Sequence, residues 1–177
     1  MPHNPVLYEV LRDRVHQSPQ GRISFAEFME LALYHPQGGY YTTKDAVLGF
    51  EGDFVTSAHL GHDFGEVLAT QFAEMWAHLE RPNSFALVEM GAGQGLIAAD
   101  VLSTLQNHFP DCFAALDFQI VEKSDQLRTA QEQRLSPWAG KVSWLTLEDI
   151  ADDSITGCLF SNELVDALPV HQVVITE

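Results

Sequence analysis

The chain is short of positive charge. Its 177 residues carry 9 Lys and Arg against 25 Asp and Glu, for a formal net charge of −16. A protein that clasps nucleic-acid phosphates needs a basic face, so this balance argues against that class. It argues equally against a polybasic membrane anchor. Only two cysteines are present, Cys112 and Cys158, too few for a disulfide framework and not in a CxxC pair. They are expected to be free thiols packed as small hydrophobes in a reducing compartment. No apolar run approaches the ~20 residues that span a bilayer. The start, Met1-Pro-His-Asn-Pro5, lacks a signal-peptide pattern, and acidic residues soon follow, which disfavours a transit peptide. These absences together give the expectation of a cytoplasmic protein. What the chain does have is 46% hydrophobic residues, enough for a real core at this length. Its acidic surface serves solubility first and attraction of a basic partner second.

There is no internal repeat. Leu7, Val10, Leu11 and Val15 recur at helical spacing and predict a first helix, broken by Ser18-Pro-Gln-Gly21. Ser24-Phe-Ala-Glu27 has the form of a capping box opening a second helix, which ends before Pro36. Residues 35–61 combine glycines with Tyr40, Tyr41, Phe50 and Phe54. Those aromatics either pack as a satellite cluster or cover a binding cleft. Phe64, Val67, Leu68, Phe72, Met75, Trp76 and Leu79 then mark a strongly amphipathic helix.

From residue 85 the texture becomes strand–helix alternation. Strands are predicted over 85–90, 117–123, 142–145 and 157–161. Helices are predicted from Ile97 to Leu105 and from Ser124 to about Leu135. This pattern predicts a parallel α/β sheet of Rossmann-like type with helices on both faces and an N-terminal helical segment. The expected strand order is 3-2-1-4, with ligands at the carboxyl ends of the strands. We divide the chain into residues 1–82, helices and a covering loop, and 83–177, the first half of the Rossmann-like domain.

The chemistry is concentrated in Glu89-Met-Gly91-Ala92-Gly93-Gln-Gly95, on a strand-to-helix turn. Glycines let the backbone turn sharply and approach a ligand, and helix N-terminal amides face the site. A dinucleotide fingerprint would need Gly at 96, where Leu stands, and no Walker Gly-Lys-Ser/Thr is present. The carboxylate of Glu89 suits a ligand bearing an ammonium group. S-adenosyl-L-methionine has that ammonium, a ribose and no phosphate. Glu122, at the end of the second strand, is placed to accept from both ribose hydroxyls. Glu148 or Asp149, after the third strand, either accepts from the adenine amino group or is simply an acid at a helix start. Asn162-Glu163-Leu-Val-Asp166 follows the fourth strand. A carboxylate there can hold a guanidinium by paired hydrogen bonds, or else Asn162 caps and Glu163 is solvated. The eight histidines show no metal-ligand spacing, and His35 draws attention only through its loop.

Four segments extend this reading: 24–41, 52–66, 88–95 and 161–170. Through them the chain resembles the MidA family of S-adenosylmethionine-dependent methyltransferases, which includes the mitochondrial complex I assembly-factor methyltransferase. The resemblance implies a class I methyltransferase fold and, for the mitochondrial relatives, dimethylation of a protein arginine. It implies that Glu89, Gly91, Ala92, Gly93 and Gly95 form the donor loop and that Glu122 is the ribose acid. It further implies that Gly52, Asp53, Phe54 and Thr56 cover the donor, and that Asn162, Glu163 and Asp166 stand at the catalytic end. Ser57-Ala58 departs from a nearby family Pro. Members are also longer, so the expectation is a fragment whose 170–176 segment is a β arm awaiting a partner. Its open sheet edge offers a route to oligomers. The expected partner is a protein with an accessible arginine, with no nucleic acid and no membrane. The rival readings are a non-catalytic donor-binding or assembly module, and a methyltransferase acting on RNA or a small molecule.

Overall fold

Four strands form one parallel sheet: β1 (Phe85–Met90), β2 (Leu116–Val121), β3 (Val142–Leu145) and β4 (Gly157–Ser161). Their order is β3-β2-β1-β4, as expected from the alternation. The computed structural model describes residues 4–42 and 61–175. The chain forms two compact units: Met1–Val47 with Glu163–Glu177, and Leu48–Asn162.

The second unit contains the sheet together with α3 (Asp63–His78), α4 (Leu96–His108), α5 (Pro110–Ala115) and α6 (Asp125–Arg134). β1 is central and buried along its length, so it reads as a continuous apolar run broken only by Glu89. Its register sets Leu87 beside Phe118 and Glu89 beside Ile120 and Phe160. Phe85, Leu87, Leu116, Phe118 and Ile120 join Phe72 of α3 and Ile97, Val101, Leu102 and Leu105 of α4 in one core. Phe160 lies 5.0 Å from Phe72 and 6.4 Å from Phe118, ring centre to ring centre. Each fully buried ring of this kind contributes about 2–3 kcal/mol relative to exposure. The stripe of α4 is therefore core, as its spacing predicts, whereas on α3 Phe72 is buried, Phe64, Leu68 and Trp76 pack partly buried against the core, and Val67, Met75 and Leu79 of the expected stripe are exposed. The short α5 was not anticipated. Pro110 starts it with a pre-set φ and Cys112 is its buried residue, but six residues are too few for a periodic signal.

β4 forms the sheet edge, and Leu159 on it is 48% exposed. Residues 169–175 are neither helix nor strand, and Val173, Val174 and Ile175 are at least 84% exposed. The expected β arm at 170–176 is thus not formed over its described residues. An extended segment needs a neighbouring strand to satisfy its N–H and C=O groups, and among the described residues none is paired with it.

The first unit holds α1 (Pro5–Gln17) and α2 (Phe25–Tyr34). Asn4 caps α1 and donates to Gly38 O at 3.1 Å. Ser24 caps α2, accepting from Glu27 N at 3.1 Å. Only half of the expected capping box forms: the Glu27 carboxylate binds the Arg14 guanidinium of α1 instead. A charge-assisted pair is the stronger use of that carboxylate. Tyr41 stacks on Tyr34 at 5.7 Å and meets Tyr40 edge-on at 5.0 Å, which is the satellite-cluster arrangement for these two aromatics. Phe50 and Phe54 lie outside the described residues. Tyr34 Oη donates to Ala167 O at 2.8 Å, so the segment after β4 is fastened within this unit.

Candidate functional site

The turn between β1 and α4 is built from three left-handed glycines: Gly91 (φ 69°), Gly93 (φ 54°) and Gly95 (φ 74°). Side chains are strained there, which explains the alternating glycines. Gly91 N donates to Val121 O at 2.9 Å, tying the turn to β2, and Gly95 N donates to Ala92 O at 2.8 Å. Ala92 is buried in the core and anchors the turn from below. Gly95 caps α4 with no side-chain acceptor, so the first-turn amides of α4 have no side-chain cap.

Glu89 stands two residues before this turn. It is 2% exposed, and its Oε2 is buried with no hydrogen-bond partner among the described residues. Burial, reinforced by the charge of Glu122, pushes its carboxyl up to about 8. A buried carboxyl oxygen left without a partner is costly, and a cation would relieve it. The residues therefore fit a ligand that brings an ammonium group to Glu89.

Glu122 follows β2. Its Oε1 accepts from Ser124 N at 2.9 Å and its Oε2 from Gln131 Nε2 at 3.1 Å. Burial raises its carboxyl, and these hydrogen bonds oppose the rise. Each oxygen can accept a second hydrogen bond, so the pair suits a vicinal diol. Sequence reasoning did not single out Gln131, which is completely buried. Its Nε2 also donates to Gly93 O at 2.8 Å, and its Oε1 accepts from Trp144 Nε1 at 2.9 Å. Arg134, one turn further along α6, donates to Gln94 O at 2.9 Å. A signal for Gln131 was available: it sits in register with Leu127 and Leu135 on the apolar side of an otherwise polar helix.

After β3, Asp149 closes a capping box, accepting from Thr146 N and Thr146 Oγ1, each at 2.8 Å. Those bonds hold its carboxyl below the usual range. Glu148 is exposed and is not part of that box. After β4, Asn162 is half-buried, while Glu163 and Asp166 are exposed. Glu163 has φ 51°, a left-handed backbone unusual for a side chain of this size. Asp166 raises the Tyr41 phenol, second to burial. Gly52, Asp53, Phe54 and Thr56 lie outside the described residues. His35 ends α2, its carbonyl accepting from Gly38, Gly39 and Thr42. Among the described residues no cluster of three or more His, Cys, Asp or Glu could hold a metal ion. Among them, too, no helix is long and apolar enough to cross a membrane.

A family profile described as "Putative S-adenosyl-L-methionine-dependent methyltransferase" matches residues 67–177. The chain belongs to this methyltransferase family. It is 34% identical to the Drosophila melanogaster "Protein arginine methyltransferase NDUFAF7 homolog, mitochondrial", over 86% of this chain and 39% of the relative. The corresponding Bos taurus protein is 31% identical, over 96% of this chain and 43% of its own length. The structure of a COG1565 superfamily protein from Burkholderia thailandensis, bound to S-adenosyl-homocysteine, superposes with a TM-score of 0.79 at 29% identity. That match covers 94% of this chain and 42% of the other. The fold is that of a class I methyltransferase, and this chain spans about two fifths of the length of its curated relatives.

These family members also correct the expected location. The relatives are named as mitochondrial proteins, which overturns the cytoplasmic expectation. The signals used were too general: free thiols persist in any reducing compartment, and early acidic residues are a weak negative.

Proposed function

We propose that this chain carries the donor-binding half of an S-adenosyl-L-methionine-dependent methyltransferase that modifies a protein arginine nitrogen. The observation that carries the reading is the buried, unpartnered Oε2 of Glu89, immediately before a turn of three left-handed glycines. The names of the relatives support the arginine acceptor. In this reading residues 1–82 supply the helices and donor-covering loop, and 83–177 the first half of the catalytic domain.

S-adenosyl-L-methionine brings a methyl group already activated on a sulfonium sulfur, so the protein's task is mainly positioning and exclusion of water. Glu89 accepts from the amino-acid ammonium. Glu122 accepts from the ribose hydroxyls. Gly91, Ala92, Gly93 and Gly95 leave room for close backbone approach, and Glu148 accepts from the adenine amino group. Gly52, Asp53, Phe54 and Thr56 cover the donor. Glu163 holds the guanidinium by paired hydrogen bonds, with Asn162 and Asp166 as further polar contacts. The left-handed backbone of Glu163 supports this role, because strain of that kind concentrates at functional positions.

Isothermal titration with S-adenosyl-L-methionine and S-adenosylhomocysteine tests donor binding, and absence of heat with both would sink the reading. Labelled-methyl transfer into a mitochondrial lysate tests the acceptor. The label should appear in protein, on arginine, and should be lost with Glu163→Gln. Label on another residue type would overturn the arginine assignment while leaving the donor site intact.

A further inference from the structure

Gln131 is the one uncharged polar side chain among those completely buried in the described core, and all its hydrogen bonds run to other elements. Its orientation is fixed by its neighbours. The Trp144 indole can only donate, so the amide oxygen faces it. Gly93 O and the Glu122 carboxylate accept, so the amide nitrogen faces them. Both amide protons are thereby used, one on the glycine turn and one on the acid after β2.

The consequences are geometric. The bond to Gly93 O sets the direction of the Gly93–Gln94 peptide in the turn. The bond to Glu122 Oε2, with Ser124 N on Oε1, leaves the carboxylate one orientation. The glycine turn packs against the same side chain: a Cβ at Gly95 would lie 3.4 Å from Gln131 Cγ. Arg134 adds a second grip on the turn through Gln94 O, so one face of α6 holds two successive carbonyls.

We propose that Gln131 is the positioning residue of the donor site, locking the glycine turn and the Glu122 carboxylate into one arrangement held from β3 by Trp144. It touches no reacting atom and acts through Glu122. The inference rests on the reading of Glu122 as the acid that accepts from the donor's ribose.

The test is titration of the chain with S-adenosylhomocysteine between pH 5 and 8. The proteins compared are wild type, Gln131→Met, Trp144→Phe, Glu122→Gln and the Gln131→Met/Glu122→Gln pair. Gln131→Met keeps the volume and removes the amide. It should weaken binding about tenfold, in line with loss of a buried hydrogen bond to a charged group. It should also move the acid limb of the binding profile to higher pH, because Glu122 loses a donor that favours its ionised form. Glu89 on β1 titrates in the same site and is raised in part by the charge of Glu122, so the effect of Gln131→Met on the profile is read as its difference from the same substitution in the Glu122→Gln background, where Glu122 no longer titrates. In the Glu122→Gln background the Met substitution should cost less than about threefold, since interacting sites are not additive. Trp144→Phe, the milder variant should Gln131→Met fail to fold, should shift the profile in the same direction with a loss of a few fold.

Unchanged affinity and profile in Gln131→Met and Trp144→Phe would overturn the inference, as would a full, additive loss in the Glu122→Gln background. Wild type that takes up no S-adenosylhomocysteine would instead overturn the methyl-donor reading itself. Wild type that binds normally beside an insensitive Gln131→Met sinks only the role of Gln131.

Discussion

Two segments follow the carboxyl ends of neighbouring strands and are built in opposite ways. The turn after β1 is half-buried and cross-braced. Three left-handed glycines are tied to β2 through Gly91 N, Gln131 holds Gly93 O and Arg134 holds Gln94 O, and Glu89 before them is buried. The segment after β4 is open. Glu163 and Asp166 are exposed, Glu163 is held left-handed, and Tyr34 Oη donates to Ala167 O. The difference teaches what each can do. A braced, half-buried turn recognises a fixed small molecule with preorganised groups. An exposed acid segment can meet a variable partner such as a peptide side chain.

The largest effect is expected at Glu89. Glu89→Gln should weaken S-adenosylhomocysteine binding by at least about 100-fold, roughly 2.7 kcal/mol, measured by titration calorimetry. The same substitution should change the pH dependence of stability. The folded carboxyl lies at about 8 and the unfolded one at 4.5, so the unfolded chain holds fewer protons between those values. Wild-type stability therefore falls as pH rises from about 4.5 to about 8. The Gln variant lacks this slope, and its melting temperature relative to wild type should climb across that window and level off above it. A parallel pair of melting curves would break the contrast between the two segments, since Glu89 would then not be a destabilised, ligand-seeking acid.

Next in size is Glu163→Gln. It should lower methyl transfer about 10- to 100-fold while leaving S-adenosylhomocysteine affinity within about twofold, the signature of a group that meets the acceptor. A comparable loss of donor affinity would merge the two segments into one donor site. Glu122→Gln should cost donor binding about tenfold, because a neutral amide keeps the shape and loses the charge-assisted bonds. The smallest effect is expected at Glu148→Gln, about two- to threefold in donor affinity, as befits an exposed contact. A loss beyond tenfold would make the end of β3 as important as the end of β1.

Legibility in the sequence followed the same contrast. The glycine turn could be read because its chemistry is local: strand, acid, three glycines and helix lie within a dozen residues. The strand order followed from alternation and crossover handedness. Gln131 escaped because its importance comes from groups 38, 9 and 13 residues away in the chain. Glu27 was misjudged for the same reason, since Arg14 outcompeted the local cap. The 170–176 segment has a strand's residue types but no neighbour to pair with among the described residues.

The sequence by itself determined the parallel sheet, its order, the glycine turn and the acids that flank it, because periodicity and backbone permissiveness act over short range. Only the tertiary structure decided that Glu89 is left with a buried bare oxygen and that Gln131 locks the turn to Glu122. Burial and hydrogen-bond satisfaction belong to the packed assembly, and no stretch of chain contains them.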